Sequence, residues 1–244
     1  MDPALFYDML RAGELATTSA VNVAAYTDTV EPCFRRGRMC SSWPSPPGCP
    51  RPVIPPRWRR RSCGSGIPSG NFMWWILCAP PWGRGLLVWL AAREQKKGRT
   101  IEEVRDWAET HKQAVCHQFT VQDLKFLKRG GRITATTAVL GSMLQIKPLL
   151  HVDQEGRLTA VGKARGHHAS LKTLVDRMEK TVTDEGRETV FISHGDCRGD
   201  ANKVAEMVRE RFGTRDVRIN YVGPVIGAHS GPGTLALFYL GTER

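Results

Sequence analysis

Hydrophobic residues recur along most of this chain with two periods that alternate. Spacings of three and four residues predict helices at 2–12, 21–26, 86–97, 100–113, 134–144, 168–181 and 200–212, with a helical turn at 121–128. Short apolar runs predict strands at 118–121, 145–152, 157–161, 189–193, 216–222 and 234–240. Strands that alternate with helices indicate an α/β protein.

The pattern disappears between residues 32 and 84. This window has no Asp, Glu or Lys, yet it holds nine arginines, 11 of the 15 prolines and five of the seven tryptophans. The prolines exclude a regular helix or a central strand, while the tryptophans are unlike a disordered linker. Without the window the net charge falls from +11 to +2, so a uniformly basic nucleic-acid-binding protein is excluded.

The odd composition of this window suggests a displaced reading frame. Joining the last base of each codon to the first two of the next converts 72–76 into Tyr or His followed by Val-Val-Asp. The same shift over 39–50 permits an apolar strand and a Ser-Ser-x-Leu-Ser turn. We therefore interpret about 32–84 as out of frame and expect it to be disordered; a genuine Arg/Pro-rich insert is the alternative.

The cysteine and histidine spacings favour neither disulfides nor a metal site. The five cysteines of the window have no paired spacing, and His111, Cys116 and His117 lack metal-ligand spacing and are expected at the surface. The first ten residues lack a basic n-region, and the longest apolar runs, 72–79 and 86–92, are too short to cross a bilayer. We expect a cytoplasmic protein without stable membrane insertion.

Three segments of the second half carry a specific resemblance. They read DLKFLKRGGRI at 123–133, LGSMLQIKPLL at 140–150 and VIGAHSGPG at 225–233. Near the start, FYDML at 6–10 and TTS at 17–19 add to them, as do the strands hidden in the displaced frame. The sequence resembles the DegV family of bacterial fatty-acid-binding proteins over 1–31 and 85–244.

The resemblance implies a two-domain α/β architecture. Residues 1–117 would be the remnant of an N-terminal parallel-sheet domain, incomplete because of the window. Residues 118–244 would be an intact C-terminal domain with a mixed sheet. The family's first strand is expected before Met1, so the chain looks shortened at its start.

The resemblance also implies where a fatty acid would be held. Thr18 matches the family threonine that hydrogen-bonds the carboxylate, and Ser19 belongs to the same loop. Arg132 and His229 match residues near the acyl head group. Each has a plainer interpretation: Thr18 as a helix N-cap, Arg132 in a surface salt bridge, and His229 as an ordinary loop histidine.

The function implied is lipid binding without catalysis. One long-chain fatty acid would lie between the two domains, and a separate fatty-acid kinase would act on its carboxylate; no cofactor or metal is implied. We expect binding to be impaired, because part of the tunnel falls in the window. Two alternatives stay open: a nucleic-acid-binding module using 51–61, and a hydrolase around His194 in the Ser-His-Gly-Asp sequence at 193–196.

Overall fold

The computed structural model of the chain describes residues 2–19, 81–133 and 146–243. Within them the strands are β1 (Val115–Thr120), β2 (Ile146–Val152), β3 (Leu158–Arg165), β4 (Thr189–His194), β5 (Asp216–Tyr221) and β6 (Leu235–Leu240). They form one six-stranded sheet in the order β3-β2-β1-β6-β4-β5. Only β4 and β5 pair in parallel, so the sheet is mixed.

The helices follow the same chain order. They are α1 (Pro3–Arg11), α2 (Pro81–Lys96), α3 (Ile101–His111), α4 (Lys125–Arg129), α5 (His167–Thr181), α6 (Asp184–Glu188), α7 (Arg198–Phe212) and α8 (Pro224–Ser230). The mixed α/β fold predicted from the sequence is confirmed.

The alternation of buried side chains along the strands builds two apolar layers. Val190 and Ile192 of β4 pack with α5 and α7 on one face of the sheet. Phe191, between them, packs with Leu86 and Leu87 of α2 on the other face. Because successive strand residues point to opposite faces, one fully buried strand supplies both layers. The sheet is thus covered by helices on both sides.

Local signals explain where several helices begin and end. The Thr100 side chain accepts from the backbone N–H of Glu103, whose carboxylate accepts from the N–H of Thr100, so the predicted capping box is present. The helix α7 ends at Gly213, whose φ of 67° suits a residue without Cβ. These caps agree with the sequence boundaries to within two or three residues.

Several predictions need correction. The helix α2 begins at Pro81, five residues before the predicted 86, so the end of the window expected to be disordered is helical. The strand β3 ends at Arg165, four residues after the predicted 161. The strand β1 begins at Val115, three residues before the predicted 118, and Cys116 and His117, expected at the surface, are buried in it. The predicted turn at 121–128 is the helix α4, which begins four residues later. The helices α6 and α8 were not predicted. Their five and seven residues are too short for a helical period to be visible in the sequence.

Other predictions lie outside the described residues: the helices at 21–26 and 134–144 and almost all of the window at 32–84. The proposed domain boundary at 117/118 stays a prediction, although it falls inside β1. Among residues whose structure is described, no helix is long and apolar enough to cross a bilayer. The two cysteines in this part of the chain, Cys116 and Cys197, are free.

Candidate functional site

Thr18 and His229, far apart in sequence, are brought into hydrogen-bonding contact. Thr18 Oγ1 lies 2.8 Å from Nε2 of His229. Thr18 is exposed in the segment that follows α1, and His229 is half-buried in α8. The contact leaves both polar groups within reach of solvent. Ser19 follows Thr18 and is also exposed.

The helix α8 is short, and its ends are set by special residues. Pro224 occupies its first position, where a missing N–H costs nothing. Gly231 ends it with a φ of 79°, and its N–H donates to the carbonyl of Gly227. Gly231, the first residue of the Gly-Pro-Gly sequence, therefore ends α8 two residues after His229.

The Gly130-Gly131-Arg132 segment lies against the imidazole. A Cβ at Gly130 would stand 2.4 Å from Nδ1 of His229, so only glycine permits this approach. Arg132 follows two residues later and donates from Nη1 to the carbonyl of Gly130 over 2.6 Å. Three of the four predicted site residues, Thr18, Arg132 and His229, thus converge on one corner of the molecule.

The electrostatic setting of His229 favours a neutral ring beside positive charge. Burial lowers the pKa of His229, and the nearby guanidinium groups of Arg132 and Arg129 lower it further. Desolvation and like charge both disfavour an imidazolium. A neutral imidazole with one N–H, a hydroxyl and two cations form a site suited to an anion.

The helix α1 is seated on α8 through two aromatic side chains. Tyr7 is fully buried and donates from its hydroxyl to the carbonyl of Val222 over 2.7 Å. A Cβ at Gly227 would stand 2.6 Å from that hydroxyl and 2.9 Å from the ring of Phe6. Because Thr18 follows α1 and His229 belongs to α8, this packing supports their contact. The sequence marked Phe6 and Tyr7 as a motif but gave them no role.

The Ser-His-Gly-Asp sequence does not form a hydrolase triad. Ser193 and His194 are buried in β4, and Nδ1 of His194 accepts from the N–H of Cys197. The carboxylate of Asp196 accepts from Arg11 and Tyr221 instead of from the imidazole. Burial, followed by the charge of Arg198, lowers the pKa of His194. A base oriented by an acid is therefore missing from this loop.

Among the described residues, the remaining chemical candidates add no second site. His167 pairs with Asp200 at 2.7 Å, and His111 stacks on Trp107. In the ranges 2–19, 81–133 and 146–243, no group of three His, Cys, Asp or Glu residues could hold a metal ion. The Arg/Trp-rich segment 51–61, the basis of the nucleic-acid alternative, lies outside the described residues.

The protein is thus a mixed α/β protein with a small cluster of polar and positively charged side chains, Thr18, Arg132 and His229, at one corner. The chain belongs to the DegV family, since the family model described as "Uncharacterised protein, DegV family" matches residues 82–242. A DegV domain-containing protein of Clostridium perfringens is 38% identical over 244 residues, all of this chain and 84% of the relative. One of Streptococcus pyogenes is 39% identical over 159 residues, 65% of this chain and 54% of its own length.

Solved structures share the fold at low sequence identity. A DegV family protein of Eubacterium eligens, loaded with heptadecanoic acid, has a TM-score of 0.81 and 18% identity, covering 99% of this chain and 86% of its own. The fatty acid kinase B3 protein of Streptococcus pneumoniae, loaded with linoleic acid, has a TM-score of 0.79 and 15% identity, covering 98% and 84%. At such identities the similarity establishes the fold alone.

Arg132→Gln is expected to raise the pKa of His229. The substitution removes one of the two positive charges that disfavour the imidazolium, while burial of the ring is unchanged. An NMR titration of isotope-labelled histidine measures the shift. Lys128→Gln is the matched control, because this exposed cation of α4 is not among the groups that lower the pKa of His229. Equal shifts in the two variants would contradict a specific effect of Arg132.

Proposed function

We propose that the chain binds one long-chain fatty acid without catalysing a reaction, and that the fatty acid's carboxylate lies at Thr18, Arg132 and His229, with Ser19 beside them. The observation that carries the proposal is the contact between Thr18 and His229 in the field of two arginines. This contact brings the segment after α1 and the helix α8 together at one anion-binding site. The fatty acids bound by the structural neighbours support the same ligand class.

The donors available suit a carboxylate. A carboxylate that loses part of its hydration needs hydrogen bonds in return. Thr18 and a neutral His229 have one donor each, and their mutual hydrogen bond uses one of the two, so the pair offers one donor to the carboxylate. The planar fork of Arg132 supplies charged donors. For Arg132 to reach the ligand, its bond to the Gly130 carbonyl must be exchanged for one to the carboxylate. The contact between Thr18 and His229 would hold the remaining donor in place before the ligand arrives.

Most of the binding energy would come from the acyl chain. A chain of ~16 carbons gains roughly 0.8 kcal/mol per buried CH₂, or about 12 kcal/mol before the loss of freedom is subtracted. We propose that the acyl chain lies between an N-terminal and a C-terminal α/β domain. We also propose that the protein is cytoplasmic. The carboxylate, near exposed Thr18 and Arg132, would then be accessible to a partner kinase.

We further propose that the window at 32–84 is read out of frame, and that binding is impaired for this reason. The family model begins at residue 82, where ordinary composition returns. The C. perfringens relative aligns over the whole chain, which supports a window that replaces family sequence rather than an insert added to it. Sequencing the source DNA across codons 30–86 tests this: an extra or missing base near each end supports it, and confirmed bases mean a decayed gene copy or a genuine insert. Hydrogen-exchange protection of 40–80 equal to that of 188–222 would overturn the proposal.

Ligand titration of the delipidated full chain tests the proposed function. Dodecanoate is added while the NMR signals of His229 are recorded, and methyl dodecanoate is the matched control with the same apolar chain. We expect the acid to move the His229 signals and to bind at least about tenfold more tightly than the ester, because the ester lacks the charged acceptor. NMR detects the effect even if affinity is weak. Equal behaviour of acid and ester, or no response to the acid, would overturn the proposal.

A further inference from the structure

Asp196 has a positive φ, a backbone conformation that residues other than glycine adopt rarely. It follows Gly195 in the loop between β4 and α7, and its φ is 56°. In the described part of the chain it is the one residue other than glycine with positive φ. Asp and Asn tolerate this region better than other residues, yet it remains strained. Strain of this kind calls for a functional or structural reason.

Asp196 holds the last residue of α1 by several bonds at once. Arg11 donates from Nη1 to Oδ2 of Asp196 over 2.6 Å and from Nη2 to the backbone carbonyl of Asp196 over 3.0 Å. The hydroxyl of Tyr221 donates to Oδ1 over 3.2 Å. Every oxygen of Asp196 therefore accepts a bond, and Arg11 is held in a fixed direction rather than by a single loose ion pair.

The loop that holds Arg11 is also bonded to the turn that follows His229. The N–H of Gly195 donates to the carbonyl of Thr234 over 2.8 Å, and the N–H of Gly233 donates to the carbonyl of Gly195 over 2.7 Å. A Cβ at Gly195 would stand 2.7 Å from the carbonyl oxygen of Gly231, the residue that ends α8. The loop is thus bonded to α1 through Arg11 and to the turn that follows α8.

The direction of α1 is transmitted to the segment that carries Thr18. The N–H groups of Ala12, Gly13 and Glu14 all donate back into α1, to the carbonyls of Asp8, Leu10 and Met9. The chain leaving α1 is therefore held against its helix before it reaches Thr18. A rotation of α1 would carry this segment with it and change the distance between Thr18 and His229.

We infer that Asp196 is a positioning residue for the contact between Thr18 and His229. Asp196 fixes Arg11 of α1 by hydrogen bonds, and its loop is bonded to the turn after His229. Together these bonds keep Thr18 within hydrogen-bonding distance of the imidazole. The inference rests on the proposed function for its biological meaning, but not for its geometry. Asp196 acts through Arg11 and is not placed against the ligand. The arrangement gives the Ser-His-Gly-Asp sequence a role that a hydrolase interpretation does not.

The test compares Arg11→Met and Asp196→Asn with Asp8→Asn in the full chain. Asp196→Asn keeps a residue that tolerates positive φ but removes the charge. Asp8→Asn is the matched control, because Asp8 also pairs with Arg11, at 2.9 Å, but lies on α1 itself. The first readout is the NMR spectrum of His229 without ligand, and the second is the affinity for dodecanoate. Thermal unfolding monitors the fold.

We expect Arg11→Met and Asp196→Asn to shift the His229 signals and weaken dodecanoate binding about tenfold, the effect of one charge-assisted bond. Asp8→Asn should leave both as in the wild type, and Arg11→Lys should restore them in part, since an ammonium can replace only one arm of the fork. Unchanged His229 signals in Arg11→Met and Asp196→Asn, or an equal shift in Asp8→Asn, would overturn the inference. Because the first readout uses no ligand, a wild-type chain that binds no fatty acid would defeat the proposed function alone.

Discussion

Gly186→Ala is expected to lower the free energy of unfolding by about 3 kcal/mol, because overpacking against backbone cannot be relieved by turning a side chain. Gly186 is buried in α6, where a Cβ would stand 1.9 Å from the carbonyl oxygen of Leu240 and 2.8 Å from its carbonyl carbon. Leu240 ends β6, which pairs with β1 on one side and β4 on the other. The helix must therefore move away from the centre of the sheet.

Gly199→Ala is the matched control for that prediction. Gly199 lies in the first turn of α7, and a Cβ there would meet nothing within 4 Å. Alanine is the better helix former, so we expect this variant to gain about 0.5 kcal/mol. Urea denaturation of both variants measures the difference in sign. If Gly186→Ala were as stable as Gly199→Ala, the close approach of α6 to β6 would be refuted.

The sequence predicted the elements whose patterns are long and failed for those that are short. The helices α5 and α7 have 15 residues each, enough for several turns of a repeating apolar face. In contrast, the seven residues of α8 include the Gly227 and His229 of a recognised motif, but no repeating face. The Pro224 start and the Gly231 end favour a helix there, and residues of α1 pack with Ala228 of α8 in one apolar cluster.

The site was predicted in its members but not in its geometry. Arg132 and His229 could be chosen by their motifs, yet only the folded chain shows that Gly130 lies between them, against the imidazole. Cys116 and His117 illustrate the opposite error. Their lack of metal spacing was read as exposure, whereas the sheet buries both in β1 between β2 and β6. Burial depends on neighbours that are distant in sequence, and spacing contains no information about them.

Asp196 shows a third kind of failure. In sequence it stood beside His194 and suggested a triad, because spacing cannot reveal the direction of a side chain. In the structure its carboxylate turns to Arg11 and Tyr221, and its φ of 56° belongs to a loop joined to the turn after His229. Neither the backbone conformation of Asp196 nor its long-range hydrogen bonds can be predicted from the order of residues.

Thr18→Val and His229→Leu are each expected to weaken dodecanoate binding by about tenfold to a hundredfold, since a hydrogen bond to a charged group contributes about 1.5–3 kcal/mol. Valine matches the shape of threonine and removes only the hydroxyl. Because Thr18 Oγ1 and His229 Nε2 are 2.8 Å apart, each residue also orients the other. The double variant should therefore lose less affinity than the two single losses combined, with a coupling of at least about 0.5 kcal/mol.

Thr17→Val is the control for this cycle, because Thr17 is an exposed threonine of the same segment, next to Thr18. We expect it to bind dodecanoate like the wild type. Isothermal titration of the delipidated variants gives the four affinities of the cycle and that of the control. A loss in Thr17→Val equal to that in Thr18→Val would assign the effect to the segment rather than to the hydroxyl. Strict additivity of the single losses would mean that Thr18 and His229 meet the carboxylate independently, and their contact would then have no part in binding.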